Sequence, residues 1–125
     1  MKNGIIYWVC TTLLCLAFFA MGLSNFVQPG DMHVEIAKSG YPPHFFMVLG
    51  VWQVLAAIAI SVPNVPRVKE WAYAGVLINL TAAGHHHYMA DDSIGKIAIP
   101  FVVLLFAIGS YAFRPVSRRL PGAVI

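Results

Sequence analysis

Apolar residues run through this chain in four long stretches, at residues 5–27, 44–62, 70–89 and 94–113, each closed by polar or turn-forming residues. The first stops at Gln28-Pro29-Gly30 and the second opens after Tyr41-Pro42-Pro43 and ends at Pro63 and Pro66. The fourth starts after Asp91-Asp92-Ser93 and stops at Arg114-Pro115, with Pro100 inside its first two turns, where a missing N–H is less costly than at mid-helix. A helix needs about 20 apolar residues to cross a hydrocarbon core of about 30 Å, and each stretch is of that order. The pattern therefore predicts an all-α fold: a single integral membrane domain, residues 1–125, built as a four-helix bundle. Between the first two stretches, residues 31–39 predict a short helix lying across one mouth of the bundle.

Composition agrees with a bilayer as the solvent. Hydrophobic residues make up 59% of the chain and charged ones 10%, against roughly 45–50% and about 25% in soluble domains. The N-terminal run begins at Lys2 and passes Ala20-Met21-Gly22, a pattern shared with cleavable leaders. It is longer than the roughly 7–15 apolar residues of a leader and continues to Val27, so it is read as the first span.

The Lys and Arg residues orient the bundle. Four spans place Lys2, Arg67, Lys69, Arg114, Arg118 and Arg119 on one side and only Lys38 and Lys96 on the other. Short cytoplasmic loops carry the basic excess, so both termini are expected in the cytoplasm of a multi-pass cell-membrane protein, a bacterial inner membrane being the natural setting. Tyr7, Trp8, Trp71, Tyr73 and Tyr111 gather at the inner interface, and Tyr41 and Tyr88 at the outer one. The net charge of +3 is thus a topology signal and not a nucleic-acid surface. The partner implied is the lipid bilayer, with a homo-oligomer or a larger membrane complex as the further alternatives. Cys10 and Cys15 lie on different faces of the first span, form no CxxC motif and are read as structural.

Topology gives the remaining polar residues a depth. Gln53 lies nine residues into the second span from His44, and Asn79 eight residues before His87 in the third. Both sit roughly 13 Å below the outer ends, where antiparallel neighbours pair the two amides. Polar groups inside a bilayer face protein, water or a ligand, because lipid offers them no hydrogen bonds. Ala72, Gly75, Asn79, Ala82, Ala83 and His86 recur at intervals of three and four. This small-residue stripe is expected to be the packed face of the third helix, which directs His86 into the bundle. Three consecutive histidines splay over about 200° and do not grip one metal ion, so no metal site is assigned. His33, Glu35, His44, Asp91 and Asp92 share the outer layer without a recognised ligand spacing.

Three segments carry a resemblance: GLSNF near the end of the first span, EIAKSGYPPHFFMVLGVWQVLAA through the second, and EWAYAGVLINLTAAGHHHYMADD through the third. With their Gly-Tyr-Pro turn, Leu-Gly-Val-x-x-x-Leu run and histidine ahead of an acidic residue, they resemble the DoxX-like membrane proteins. The resemblance implies a compact four-helix membrane protein. It also implies an association with membrane redox chemistry, since DoxX and DoxD relatives are linked to quinone-coupled thiosulfate oxidation and to oxidative-stress complexes. Many relatives carry Lys or Arg near the outer end of the first helix, where Asn25 stands here.

Three functional readings follow. In the first, a redox-associated protein holds a quinone or other small apolar ligand in an outward-opening pocket. His86 exchanges a proton as the candidate catalytic residue, and Gln53, Asn79, Asn25, His44 and Trp52 with Phe45 and Phe46 line the ligand. No covalent cofactor motif is present. In the second, the chain is a non-catalytic structural or accessory subunit of a larger membrane complex. In the third, a small transporter, Gln53, Asn79 and His86 form a polar line, but no ionisable residue continues it inward.

Overall fold

Helix α1 (Lys2–Val27) runs for 26 residues and is followed by the short α2 (Met32–Ser39), then α3 (Pro43–Ser61), α4 (Pro66–Met89) and α5 (Ile94–Ala112). The structure is a computed structural model; it describes residues 2–30, 32–89, 91–115 and 118, and at positions 2, 33, 35 and 39 the backbone alone. Asp31 and Arg119, and the side chains of Lys2, His33 and Glu35, used above for charge and the outer layer, lie outside the described residues. No strand occurs among the described residues.

The helix ends follow from local chemistry. Pro43 occupies the first turn of α3, where its absent N–H is not needed, behind the extended Pro42. The C-terminus of α1 is closed by Gln28 in the left-handed region (φ 54°), whose N–H donates to Ser24 O at 2.7 Å. Its side chain is buried, and Nε2 donates to Pro43 O at 2.8 Å, tying the end of α1 to the start of α3. The end of α4 forms a Schellman motif around Asp91 (φ 55°): Asp92 N–H donates to His87 O and Asp91 N–H to Tyr88 O.

Where the sequence predicts four apolar spans, three helices have both the length and the hydropathy to cross a membrane: α1, α3 and α5. Helix α4 has 24 residues, about 36 Å at 1.5 Å each. It begins with Arg67, Lys69 and Glu70 and ends with three histidines, and this polar load lowers its hydropathy. It also begins at Pro66, earlier than residue 70, because Pro66 starts a helix well and Lys69 and Glu70 are held by partners described below.

The four long helices pack in a closed ring: α1 on α3 and α5, and α4 on α3 and α5. Contacts such as Glu70 with Arg114, Tyr73 with Ser110 and Gly84 with Phe101 show α4 and α5 running antiparallel. All four long helices feed the core, which includes Leu14, Phe18, Ala57, Ile60, Val76, Leu80, Val103 and Ala107. The start of α1 and the end of α5 lie together at what is called here the terminal end; α2 and the α4–α5 link mark the opposite, loop end.

The buried stripe of α4 differs from the expected one. It consists of Lys69, Tyr73, Val76, Leu80 and Gly84, while Gly75, Ala82 and His86 are exposed and Ala72, Asn79 and Ala83 are half-buried. The small residues are not the packed face because close helix contact is made elsewhere. Gly22 and Gly50 oppose each other across α1 and α3, and Gly84 receives the Phe101 ring from α5.

Candidate functional site

Two polar layers cross the core. Toward the loop end, Asn25 Nδ2 on α1 donates to Gln53 Oε1 on α3 at 2.7 Å, and Gln53 Nε2 donates to Asn79 Oδ1 on α4 at 3.2 Å. Gln53 is 5% exposed and forms the centre of this amide chain. The Gln53–Asn79 pairing is the one that equal depth on antiparallel helices requires, and Asn25 extends it to a third helix. Toward the terminal end, Ser110 Oγ on α5 lies 2.6 Å from Thr11 Oγ1 on α1 and 2.6 Å from Tyr73 Oη on α4. Both layers sit in apolar surroundings, where an unpaired amide or hydroxyl costs several kcal/mol, of order 2–7, and each is paired.

The histidines divide differently from the expectation drawn from the small-residue stripe. His86 lies on the surface of α4 and lines an open hollow of about 580 Å³ together with Tyr41, Ile78, Thr81, Ala82, His85 and Met89. The half-buried histidine is His87, which continues the buried stripe one turn beyond Gly84. Its Nδ1 lies 2.6 Å from Asp92 Oδ2, so the pair staples the Schellman turn from the side. The hydrogen bond with His87 holds the Asp92 carboxyl below its ordinary value of 3.8, and Lys96, His87 and His86 add to this by charge. A depressed carboxylate stabilises the fold above its unfolded value, and that contribution is lost as pH falls through the lowered one. The His86 and His87 rings meet at 5.7 Å between centroids.

The remaining candidates scatter. Trp52 is 66% exposed on the outer face of α3, away from the hollow. His44 is exposed in the first turn of α3. Phe45 and Phe46 do not line the hollow themselves but pack on Tyr41, which does, at 5.1 and 6.1 Å. The structure thus unites Asn25, Gln53 and Asn79 in one chain and puts His86 in a separate, peripheral place. Sequence reasoning missed Tyr41, Thr81 and Met89 as neighbours of His86. Ile78, Thr81, Ala82, His85 and Met89 recur at intervals of three, one, three and four, a second helical face that would have found all but Tyr41.

No group of three or more His, Cys, Asp or Glu side chains suited to a metal ion occurs among the described residues. The hollow offers imidazoles and the Thr81 hydroxyl beside Ile78, Ala82 and Met89. The Thr81 hydroxyl also donates back to Leu77 O at 2.8 Å, which leaves its lone pairs toward the surface. Such a lining suits a small molecule with an apolar body and one or two hydrogen-bonding oxygens.

A family model, that of the DoxX-like family, matches residues 9–110, from the second turn of α1 to the last turn of α5. No curated protein and no solved structure matches the chain.

Proposed function

The chain belongs to the DoxX-like family, and from that premise we propose that it is a four-helix membrane protein of the cell membrane that binds a small redox-active ligand, of quinone type, at its loop end. In this reading α4 crosses the bilayer with α1, α3 and α5, shielded by its contacts with α3 and α5. Both termini lie in the cytoplasm, because Arg67, Lys69, Arg114 and Arg118 share the terminal end while Lys38 and Lys96 share the other. The ligand site then opens outward.

The observation that supports the ligand is the hollow, where His85 and His86 stand beside apolar Ile78, Ala82 and Met89. An imidazole N–H donates to a quinone carbonyl, and the unprotonated nitrogen accepts from a hydroquinone hydroxyl, so one residue type serves both oxidation states. In this reading the amides serve the bundle: Gln53 is bonded on both sides, and its chain positions α4. The test is direct binding of a short-chain ubiquinone to the purified protein in mild detergent. His86→Ala is expected to weaken binding about tenfold, the value of roughly one net hydrogen bond of about 1–1.5 kcal/mol. Wild-type protein that does not bind the quinone, or an unchanged Kd in the variant, overturns the assignment.

A second reading, an accessory subunit, draws on the outward face of α4. Trp71, Gly75, Thr81, Ala82 and His85 are exposed there, and Gly75 has open space above it. Lipid offers the His85 ring no hydrogen bond, whereas a neighbouring subunit can. A stoichiometric protein partner recovered without any bound small molecule is the outcome that selects this reading.

A further inference from the structure

Among the described residues, the terminal end carries more basic than acidic side chains: Arg67, Lys69, Arg114 and Arg118 against Glu70. Lys69 is 2% exposed, and its Nζ donates to Ala59 O at 2.6 Å, to Ile60 O at 2.9 Å and to Val62 O. Arg118 Nη1 donates to the same edge, reaching Ile60 O at 3.1 Å, Ser61 O at 3.0 Å and Val62 O at 3.4 Å. The C-terminus of a helix presents about half a negative charge. Two basic side chains converge on it here. Arg114 has a partner, Glu70, at 3.0 Å, and Glu70 is the one acidic side chain at this end among the described residues, Asp91 and Asp92 lying at the α4–α5 link. Arg67 is exposed one residue beyond Pro66.

The surplus charge lies at the level of a membrane interface. The Arg118 guanidinium stands over the Trp8 ring at 5.0 Å and near the Tyr7 ring at 5.9 Å. Trp8 and Trp71 are both largely exposed, as indoles are where they mark the headgroup layer. A group that fits there is an anion carried on an apolar body. Its charge meets Arg118, with Lys69 behind it, and its chains lie along the exposed apolar residues Val9, Leu13 and Leu16 of α1.

We propose that the edge formed by Arg118, Trp8 and the end of α3 binds the phosphate headgroup of an anionic phospholipid. The lipid supplies the negative charge that the end of α3 does not, and holds the Arg118 side chain against α1 and α3. This site is independent of the hollow at the loop end and requires only that the bundle spans a bilayer.

The experiment is native mass spectrometry of the full chain released from nanodiscs of phosphatidylcholine mixed with phosphatidylglycerol. Retained lipid is expected to be enriched in phosphatidylglycerol. Arg118→Gln is expected to lower that enrichment about fivefold, the effect of one basic residue near a charged surface, and Arg118→Lys to keep most of it. Equal retention of the two lipids by wild-type protein, or full enrichment in Arg118→Gln, overturns the proposal. Millimolar inorganic phosphate that removes the enrichment, or stabilises the protein equally in phosphatidylcholine alone, overturns the lipid as the occupant. Thermal unfolding of each variant in phosphatidylcholine discs checks that it folds. If Arg118→Gln does not, Trp8→Leu carries the test, and an undiminished enrichment there counts against the proposal.

Discussion

Gly22 and Gly50 lie where α1 and α3 approach closely, and neither has room for a methyl group. A Cβ on Gly22 would stand 2.6 Å from Val54 Cγ2 and 2.7 Å from Gly50 O, and one on Gly50 would meet the Gly22 carbonyl and the Phe26 nitrogen. All but Val54 Cγ2 are backbone atoms, so the helices would have to part. Gly75 on α4 has nothing within 4 Å of the same position. Gly50→Ala is therefore expected to destabilise the bundle by about 1–3 kcal/mol, and Gly75→Ala to leave it unchanged or slightly better. Unfolding in mixed detergent micelles would measure both; equal effects would sink this account of the glycines. A residue list cannot distinguish these positions, because both are helical glycines spaced from other small residues. The histidines carry the same lesson. His86 shares a stripe with alanines and a glycine, but His87 shares one with Tyr73, Val76 and Leu80, and bulk decides which stripe faces the core.

At the scale of helices, the depth argument fared better than the face argument. Rise per residue is fixed, so Gln53 and Asn79 had to come level once the chain order was known. The face had to be chosen between two plausible stripes, and the choice fell on small residues when large ones fill the core. The helix ends were readable from prolines and polar breaks, with residues 44–62 and 94–113 matching α3 and α5 to within a residue. Lys69 was not readable as a buried group, because only the fold brings the carbonyls of Ala59, Ile60 and Val62 to it. The amide chain makes α3 the link between α1 and α4 at this level. Gln53→Leu removes both bonds, each worth about 0.6 kcal/mol in membrane bundles, and strands Asn25 and Asn79 as well. A loss of about 1–2 kcal/mol is expected in the same unfolding measurement, with Asn25→Leu in the Gln53→Leu background adding little. An additive second loss would show that the two residues act separately.

For the whole molecule, the sidedness proposed above has a simple check. In a variant with Cys10 and Cys15 replaced by alanine, Ser93→Cys and Pro63→Cys place single thiols in the two short links at opposite ends of α4. A membrane-impermeant maleimide added to intact cells is expected to label position 93 and spare position 63. The reverse pattern would invert the topology, and labelling of both or neither would contradict an α4 that crosses the membrane. All of these outcomes concern the helix whose hydropathy falls short of the other three, which is why it is the one to probe.

The two polar layers also govern rotation. Helices α1 and α4 reach each other through intermediaries, Gln53 at one height and Ser110 at another. On α1 the fastened residues are Thr11 and Asn25; at about 100° per residue they fall within about 40° of the same side. On α4 they are Tyr73 and Asn79, about 120° apart around the axis. Helix α1 is thus fastened by both layers along one side. Helix α4 is gripped at two bearings that point in different directions, and its roll is blocked. Whatever occupies the hollow beside His85 and His86 therefore meets a wall whose heading is fixed by groups about two and about three and a half turns below it.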